Sequence, residues 1–288
     1  MAAKIGKTRQ RKAAESEEVF DAAVGKARGV LRRPPPAGQF RHGRVAPPAE
    51  LSVWIENYWM VKWDLRGLDP YVAETLPHPS FHLVFEDGKA TVSGVSLGKF
   101  SRKLVGASHV FGIKFHVGAF RAFLKGPASA LMNRTISAKR IFGGDVLPLA
   151  RIIASCANEA EMAELANDFF RNRLPAANDT MFLARQLVQR ILAEREIKTV
   201  EDLVRRAGIG KRSIQRVFRE YVGVNPKWVI RRYRLHELTE QIQSGAQLDW
   251  AALALDLGYF DQAHLINDFR DIVGCSPVEY QKQVAKKT

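Results

Sequence analysis

Cysteine is scarce in this chain. Cys156 and Cys275 are its only two, far apart among 288 residues. They are too few for a disulfide framework or a cysteine-rich zinc site, and a reducing cytoplasm is the expected setting. No run of about 18 apolar residues occurs, so no membrane span is expected. The N-terminus is basic but has no apolar core segment, so no secretory signal is expected there. No glycine-rich loop precedes a Lys-Ser/Thr pair, and no acyl-transfer elbow is present, which removes the commonest nucleotide-binding and hydrolase readings. Acids are also in short supply. Thirty Asp and Glu face 44 Lys and Arg, a net charge of +14, and such an excess favours a polyanionic partner.

What is present divides by pattern. Residues 1–44 hold Lys4, Lys7, Arg9, Arg11, Lys12, Lys26, Arg28, Arg32, Arg33, Arg41 and Arg44 against four acids, with Pro34-Pro35-Pro36. This composition predicts a basic, mostly disordered tail with a short helix from Ser16. From Val45 to Phe115 aromatic and β-branched residues cluster at 58–63, 81–85, 90–95 and 110–115, separated by turn signals such as Glu86-Asp87-Gly88. Short strands of this kind predict a small β-sandwich or barrel. From Ala119 onward the apolar spacing lengthens to three and four residues, predicting helices over 147–174 and 181–193. Pro175-Ala176-Ala177-Asn178-Asp179 reads as a hinge between them.

Residues 199–288 contain a repeat. Leu203 matches Leu253, Gly208 matches Gly258 and Ile209 matches Tyr259, each fifty apart. One residue is then inserted. Ile214 matches Leu265, Phe218 matches Phe269, Gly223 matches Gly274 and Pro226 matches Pro277, each fifty-one apart. Each copy reads as a short helix ended by glycine, an apolar plug, and a second helix with a buried stripe, which is the helix-turn-helix plan. A longer helix from Pro226 to about Gln243 joins the copies.

The residues carrying this pattern are Ile214-Gln215-Arg216-Val217-Phe218-Arg219-Glu220, Gly223-Val224-Asn225-Pro226, Arg234-Leu235, Gly258-Tyr259-Phe260-Asp261-Gln262-Ala263-His264 and Gly274-Cys275-Ser276-Pro277-Val278-Glu279-Tyr280. Over about ninety residues the region resembles the AraC/XylS family of bacterial transcription regulators. That resemblance implies two helix-turn-helix units joined by one helix, with double-stranded DNA as partner and no cofactor. Asn267 stands where family members often have a basic residue, and Val204 where a small alanine is usual. The N-terminal half, through Tyr58-Trp59, Leu76-Pro77, His82-Leu83-Val84-Phe85 and Gly112 to Phe120, is similar to the sensor-type domain of one branch of these regulators. The implied fold class is α+β: a β-rich domain, cupin-like or a small sandwich or barrel, followed by an all-α domain. The implied boundaries are a tail over 1–44, a sensing or dimerisation domain over 45–145, a helical connector over 146–180 and the DNA-binding domain over 181–288, with units at about 199–222 and 249–273. A small effector, a second copy of the chain and RNA polymerase are the further partners such a plan brings.

On the outer face of the first unit's second helix stand Lys211, Arg212, Gln215, Arg216 and Arg219. Arginine can pair bidentately with guanine and glutamine with adenine. The corresponding residues of the second unit, Gln262, Ala263, Ile266, Asn267 and Arg270, are nearly neutral. The first unit is therefore expected to do most of the base reading. Lys227, Arg231 and Arg232, near the start of the joining helix, are candidate phosphate contacts. His264 is expected to cap or pack locally. No catalytic residue is assigned. His78, His82 and Glu86, spaced by four, with His109 and His116 further on, leave a metal-dependent enzyme fused to a DNA-binding module as one alternative, though Pro79 and the Asp87-Gly88 turn interrupt that run. An architectural DNA binder driven by charge alone is the other.

Overall fold

The structure is a computed structural model that describes residues 17–20, 24, 28–32, 35, 39–156 and 158–285. Its N-terminal half is built on β3 (Ile55–Asp64). This strand pairs antiparallel with β2 (Phe40–Val45) on one side and β8 (Ala107–Phe115) on the other. Beyond β8 lie β5 (His82–Glu86), β6 (Lys89–Ser93) and β9 (Thr135–Ser137), and β1 (Glu17–Phe20) pairs parallel with β2 at the opposite edge. This seven-stranded ladder runs open from β1 to β9. Strands β5 and β6 form a hairpin in which Asp87 and Gly88, at φ 47° and 70°, make the two-residue turn that the sequence signals.

The period-two alternation of β3 explains the layering. Tyr58 and Met60 point into the main core with Leu83, Phe85, Val92, Phe111 and Ile113. Helix α1 (Lys139–Phe142) follows β9, and helices α2 (Val146–Ser155) and α3 (Glu159–Arg171) cover that side. Tyr58 donates a hydrogen bond to Asn167 Oδ1 at 2.6 Å, fixing α3 to the sheet. Trp63, with Trp59 and Val61 beside it, belongs to a second cluster on the other side, closed by a two-stranded sheet of β4 (Tyr71–Thr75) and β7 (Phe100–Leu104). Gly112 leaves the space Trp59 needs, since a Cβ there would sit 2.0 Å from the indole.

The tail reading needs correction where residues are described. Strand β2 begins at Phe40, inside the expected tail, and Glu17–Phe20 form a strand rather than a helix. Alternating apolar residues are too few there to signal strands, and pairing to β3 supplies what local sequence does not. Lys4, Lys7, Arg9, Arg11, Lys12, Ser16, Lys26 and Arg33 lie outside the described residues.

The C-terminal half is helical. Helix α4 (Asp179–Ala193) is followed by α5 (Val200–Ala207) and α6 (Lys211–Val217), which runs on as a π-helical turn over Phe218–Val222. Then come α7 (Pro226–Gln243), α8 (Trp250–Asp256), α9 (Gln262–Val273) and α10 (Pro277–Ala285). The hinge at 175–178 separates chain segments but not cores. Met181, Ala184, Leu187 and Ile191 of α4, and Ile214, Phe218 and Val222 of the first unit, lie in the same cluster as the sheet's inner face. The second unit has a cluster of its own, built from Leu257, Tyr259, Leu265, Phe269 and Tyr280, to which the N-terminal half contributes Leu31 and Leu76.

Candidate nucleic-acid interface

Each unit is assembled by local rules. Thr199 caps α5, accepting from the Asp202 amide at 3.1 Å while the Asp202 carboxylate accepts from the Thr199 amide at 2.9 Å. This reciprocal pair satisfies two donors that a helix start leaves open. Asp249 caps α8 in the same position of the repeat, accepting from the amides of Ala251 and Ala252. Both first helices end on glycine in the left-handed region, Gly208 at φ 67° and Gly258 at 83°, where a side chain is strained. Asp261 caps α9 through the His264 amide at 2.7 Å, and the His264 ring packs edge-on against Tyr259. Helix α6 starts at Gly210 with no side-chain cap.

With Ile214, Val217 and Phe218 buried, the opposite face of α6 is fixed. Lys211, Arg212, Gln215, Arg216 and Arg219 are all exposed, as the sequence predicts. Arg212, Gln215, Arg216 and Arg219 follow an i, i+3, i+4, i+7 stripe. Lys211 pairs with Glu201 at 2.6 Å and lowers that carboxyl's pKa, and Arg219 pairs with Glu220 at 2.9 Å. Both pairs are open to solvent and easily exchanged for a phosphate. On α9, Gln262, Ala263, Asn267 and Arg270 are exposed and Ile266 is half-buried, around a buried Leu265, Asp268 and Phe269.

The joining helix departs from expectation. Lys227 is exposed. Arg232 is not: it is 1% exposed, donates to the carbonyl of Leu97, and lies 4.6 Å over the Trp228 ring. Burial pushes its pKa down to about 10. Arg234, equally buried, donates to the carbonyls of Glu194, Arg195 and Ile197 and to Glu237. Arg231 is committed to Asp268, which is 4% exposed and also accepts from Tyr259 Oη at 2.7 Å. Burial works to lower the Arg231 pKa, but the Asp268 carboxylate outweighs it and raises it. Two of the three candidate phosphate contacts therefore hold the domain together. The charge of the helix conceals this, because the partners are carbonyls and a carboxylate remote in sequence.

The metal-type histidines are drawn apart. His82 accepts from the Trp59 indole at 3.1 Å, Glu86 pairs with Arg102, and His78 stacks on His236 of α7 with ring centroids 4.6 Å apart. His109 lies by the Ile153 carbonyl, 3.3 Å from Nε2. Among the described residues no three His, Cys, Asp or Glu side chains come together as metal ligands.

Two features were missed in the sequence. The first is a strap. Arg28 pairs with Glu240 at 2.8 Å, Val30 bridges to Thr75 and accepts from Gln243 at 2.7 Å, and Leu31 is buried with its carbonyl accepting from Tyr280 Oη at 3.0 Å. Arg32 and Lys99 both pair with Glu74, and Lys99 reaches the Val273 carbonyl at 2.8 Å. Residues 28–32 thus lie between β4 and the second unit. The second is Phe260, 86% exposed in the turn before α9. The change of repeat offset from fifty to fifty-one falls on this residue and could have singled it out.

Residues 43–137 match a domain of unknown function (DUF6597), and residues 203–283 match a helix-turn-helix domain. An uncharacterized HTH-type transcriptional regulator of Haemophilus influenzae is 27% identical over 86 residues, covering 30% of this chain and 28% of that protein. The chain therefore spans little more than a quarter of that relative's length. A transcriptional regulator of Chromobacterium violaceum with an AraC-type DNA-binding domain aligns at 18% identity and TM-score 0.32, over 37% of this chain and 99% of that one. ToxT from Vibrio cholerae aligns at 11% identity and TM-score 0.37, over 84% of this chain and 98% of that one. The helix-turn-helix match spans the repeated unit and the basic outer face of α6.

Proposed function

We propose that the protein is a cytoplasmic, sequence-specific DNA-binding regulator in which α6 enters a major groove and does most of the reading. The carrying observation is the stripe of Arg212, Gln215 and Arg216, exposed and without an ion pair among the described residues, over a helix face locked by Ile214, Val217 and Phe218. In this reading Arg212 and Arg216 pair with guanine, Gln215 pairs with adenine, and Lys211, Arg219 and Lys227 hold phosphates. Helix α9 adds a second, weaker contact through Gln262, Ala263, Ile266, Asn267 and Arg270. The β-rich half is a sensor for a small effector or a second copy, and RNA polymerase is the partner on the promoter. An effector acts only if it binds two states of the chain unequally. The shared core of the sheet and the first unit is the path by which such a preference reaches α6.

The test is selection of bound duplexes from a random library at fixed salt, with the wild type and Arg216→Ala. Salt must be fixed because phosphate contacts alone bind any sequence. The expected result is a motif of two blocks about one helical turn apart, with one block losing information in the variant. Uniform weakening without a motif would instead favour an architectural binder.

A further inference from the structure

We propose that Phe260 is a specificity-determining residue of the second unit, making apolar contact with the C5-methyl group of a thymine at the leading edge of the block read by α9. The proposal deepens the DNA-binding reading and rests on it.

Three observations converge. First, Phe260 is the residue by which the second copy exceeds the first. The plugs Ile209 and Tyr259 are fifty apart, while the N-caps Gly210 and Asp261 are fifty-one apart. Second, Phe260 does no core packing among the described residues. It occupies the position before an N-cap, from which an apolar side chain commonly folds back onto the fourth helical residue. Here that residue, Leu265, is already fully buried in the cluster that contains Tyr259. Tyr259 does the packing and Phe260 is left 86% exposed, the highest exposure of any large hydrophobic residue described. Third, its neighbours are the DNA-facing ones. Asp261 caps the helix, Gln262 and Ala263 open its outer face, and none of the three carries positive charge.

Chemistry selects the ligand. Where the first unit offers Lys211 and Arg212 at the same point of its helix, the second offers a ring and two neutral side chains. An apolar ring has no donor for guanine and no charge for phosphate. In the major groove the apolar feature is the thymine methyl. Covering one methyl is worth about 0.8 kcal/mol, or about fourfold in affinity.

The test uses the full chain as wild type, Phe260→Ala and Phe260→Leu. Each is taken through duplex selection and then titrated against its best duplex with single thymidines of the second block replaced by deoxyuridine. We expect unchanged thermal unfolding in both variants. We expect a thymine in the wild-type second block whose methyl removal weakens wild-type binding about fourfold. Phe260→Ala should be insensitive there, with Phe260→Leu in between. A second block whose every thymine tolerates deoxyuridine, or an unaltered methyl dependence in Phe260→Ala, overturns the proposal and leaves the reading of α9 standing. A wild-type motif with no second block overturns both. A change in self-association in place of methyl dependence also overturns it.

Discussion

Helices α6 and α9 are one design executed twice, and they differ in two respects. The face of α6 is basic while that of α9 is nearly neutral. Where α5 shows Arg205, the equivalent place on α8 shows Leu255, 62% exposed. Support differs as well. The first unit shares its core with the β-sheet, whereas the second closes a small core that Leu31 and Leu76 tie to the N-terminal half. The unit with the basic outer face is thus the one joined to the sheet by a common core. The repeat fixes the shape of a helix-turn-helix unit, and the residues left free of the core decide what each copy does.

Acid should separate the two regions most strongly. Burial holds His82 and His236 down at about 3, and His42 and His116 at about 4, against 6.5 for the unfolded chain. Each is neutral when folded. Below pH 6.5 the unfolded chain takes up protons that the folded chain does not, so stability is full above 6.5 and falls as pH drops toward 4. Each group contributes a slope of up to about 1.4 kcal/mol per pH unit. Three of the four lie in or next to the sheet, the fourth on α7 and none in α8 to α10, so hydrogen exchange at pH 5 should show the sheet loosening first, and equal loosening of α8 to α10 would erase the distinction. Next in size, Arg231→Met strands the Asp268 carboxylate in the second core. Unfolding measurements should record a loss of about 3 kcal/mol, and a loss below 1 would mean that Tyr259 alone satisfies it. Leu31→Ala should cost about 2 kcal/mol, read as lost amide protection in α8 to α10 with α6 unchanged. Arg216→Ala should lower affinity about tenfold for the selected site and relax one base position. Lys211→Ala, the smallest change, should lessen the salt dependence of binding by about one counterion without altering the motif.

Much of this was legible beforehand. The glycines and the plugs mark the units because few residue types tolerate a left-handed turn. The exposed face of α6 followed from three buried positions. What escaped notice depends on distant partners. Arg232 and Arg234 look like surface charge until the carbonyls of Leu97, Glu194, Arg195 and Ile197 are seen around them. The segment 28–32 resembles its charged neighbours, and only Leu31 reaching the second core distinguishes it. His78 and His82 share a spacing with Glu86 that suits metal binding, yet tertiary packing gives each a different neighbour.

The strap also imposes an order in time. Arg28 and its partner Glu240 are 212 residues apart, and Leu31 and Tyr280 are 249 apart. A ribosome adds about 5–20 residues per second and domains fold as they emerge, so residues 28–32 wait on the order of ten seconds or more for the surface they bind. The sheet and α6 can be in place while the second unit is still being translated. A nascent chain at that stage has α6 but not α9, so a site that needs both helices at once can be held only after the second unit has been synthesised.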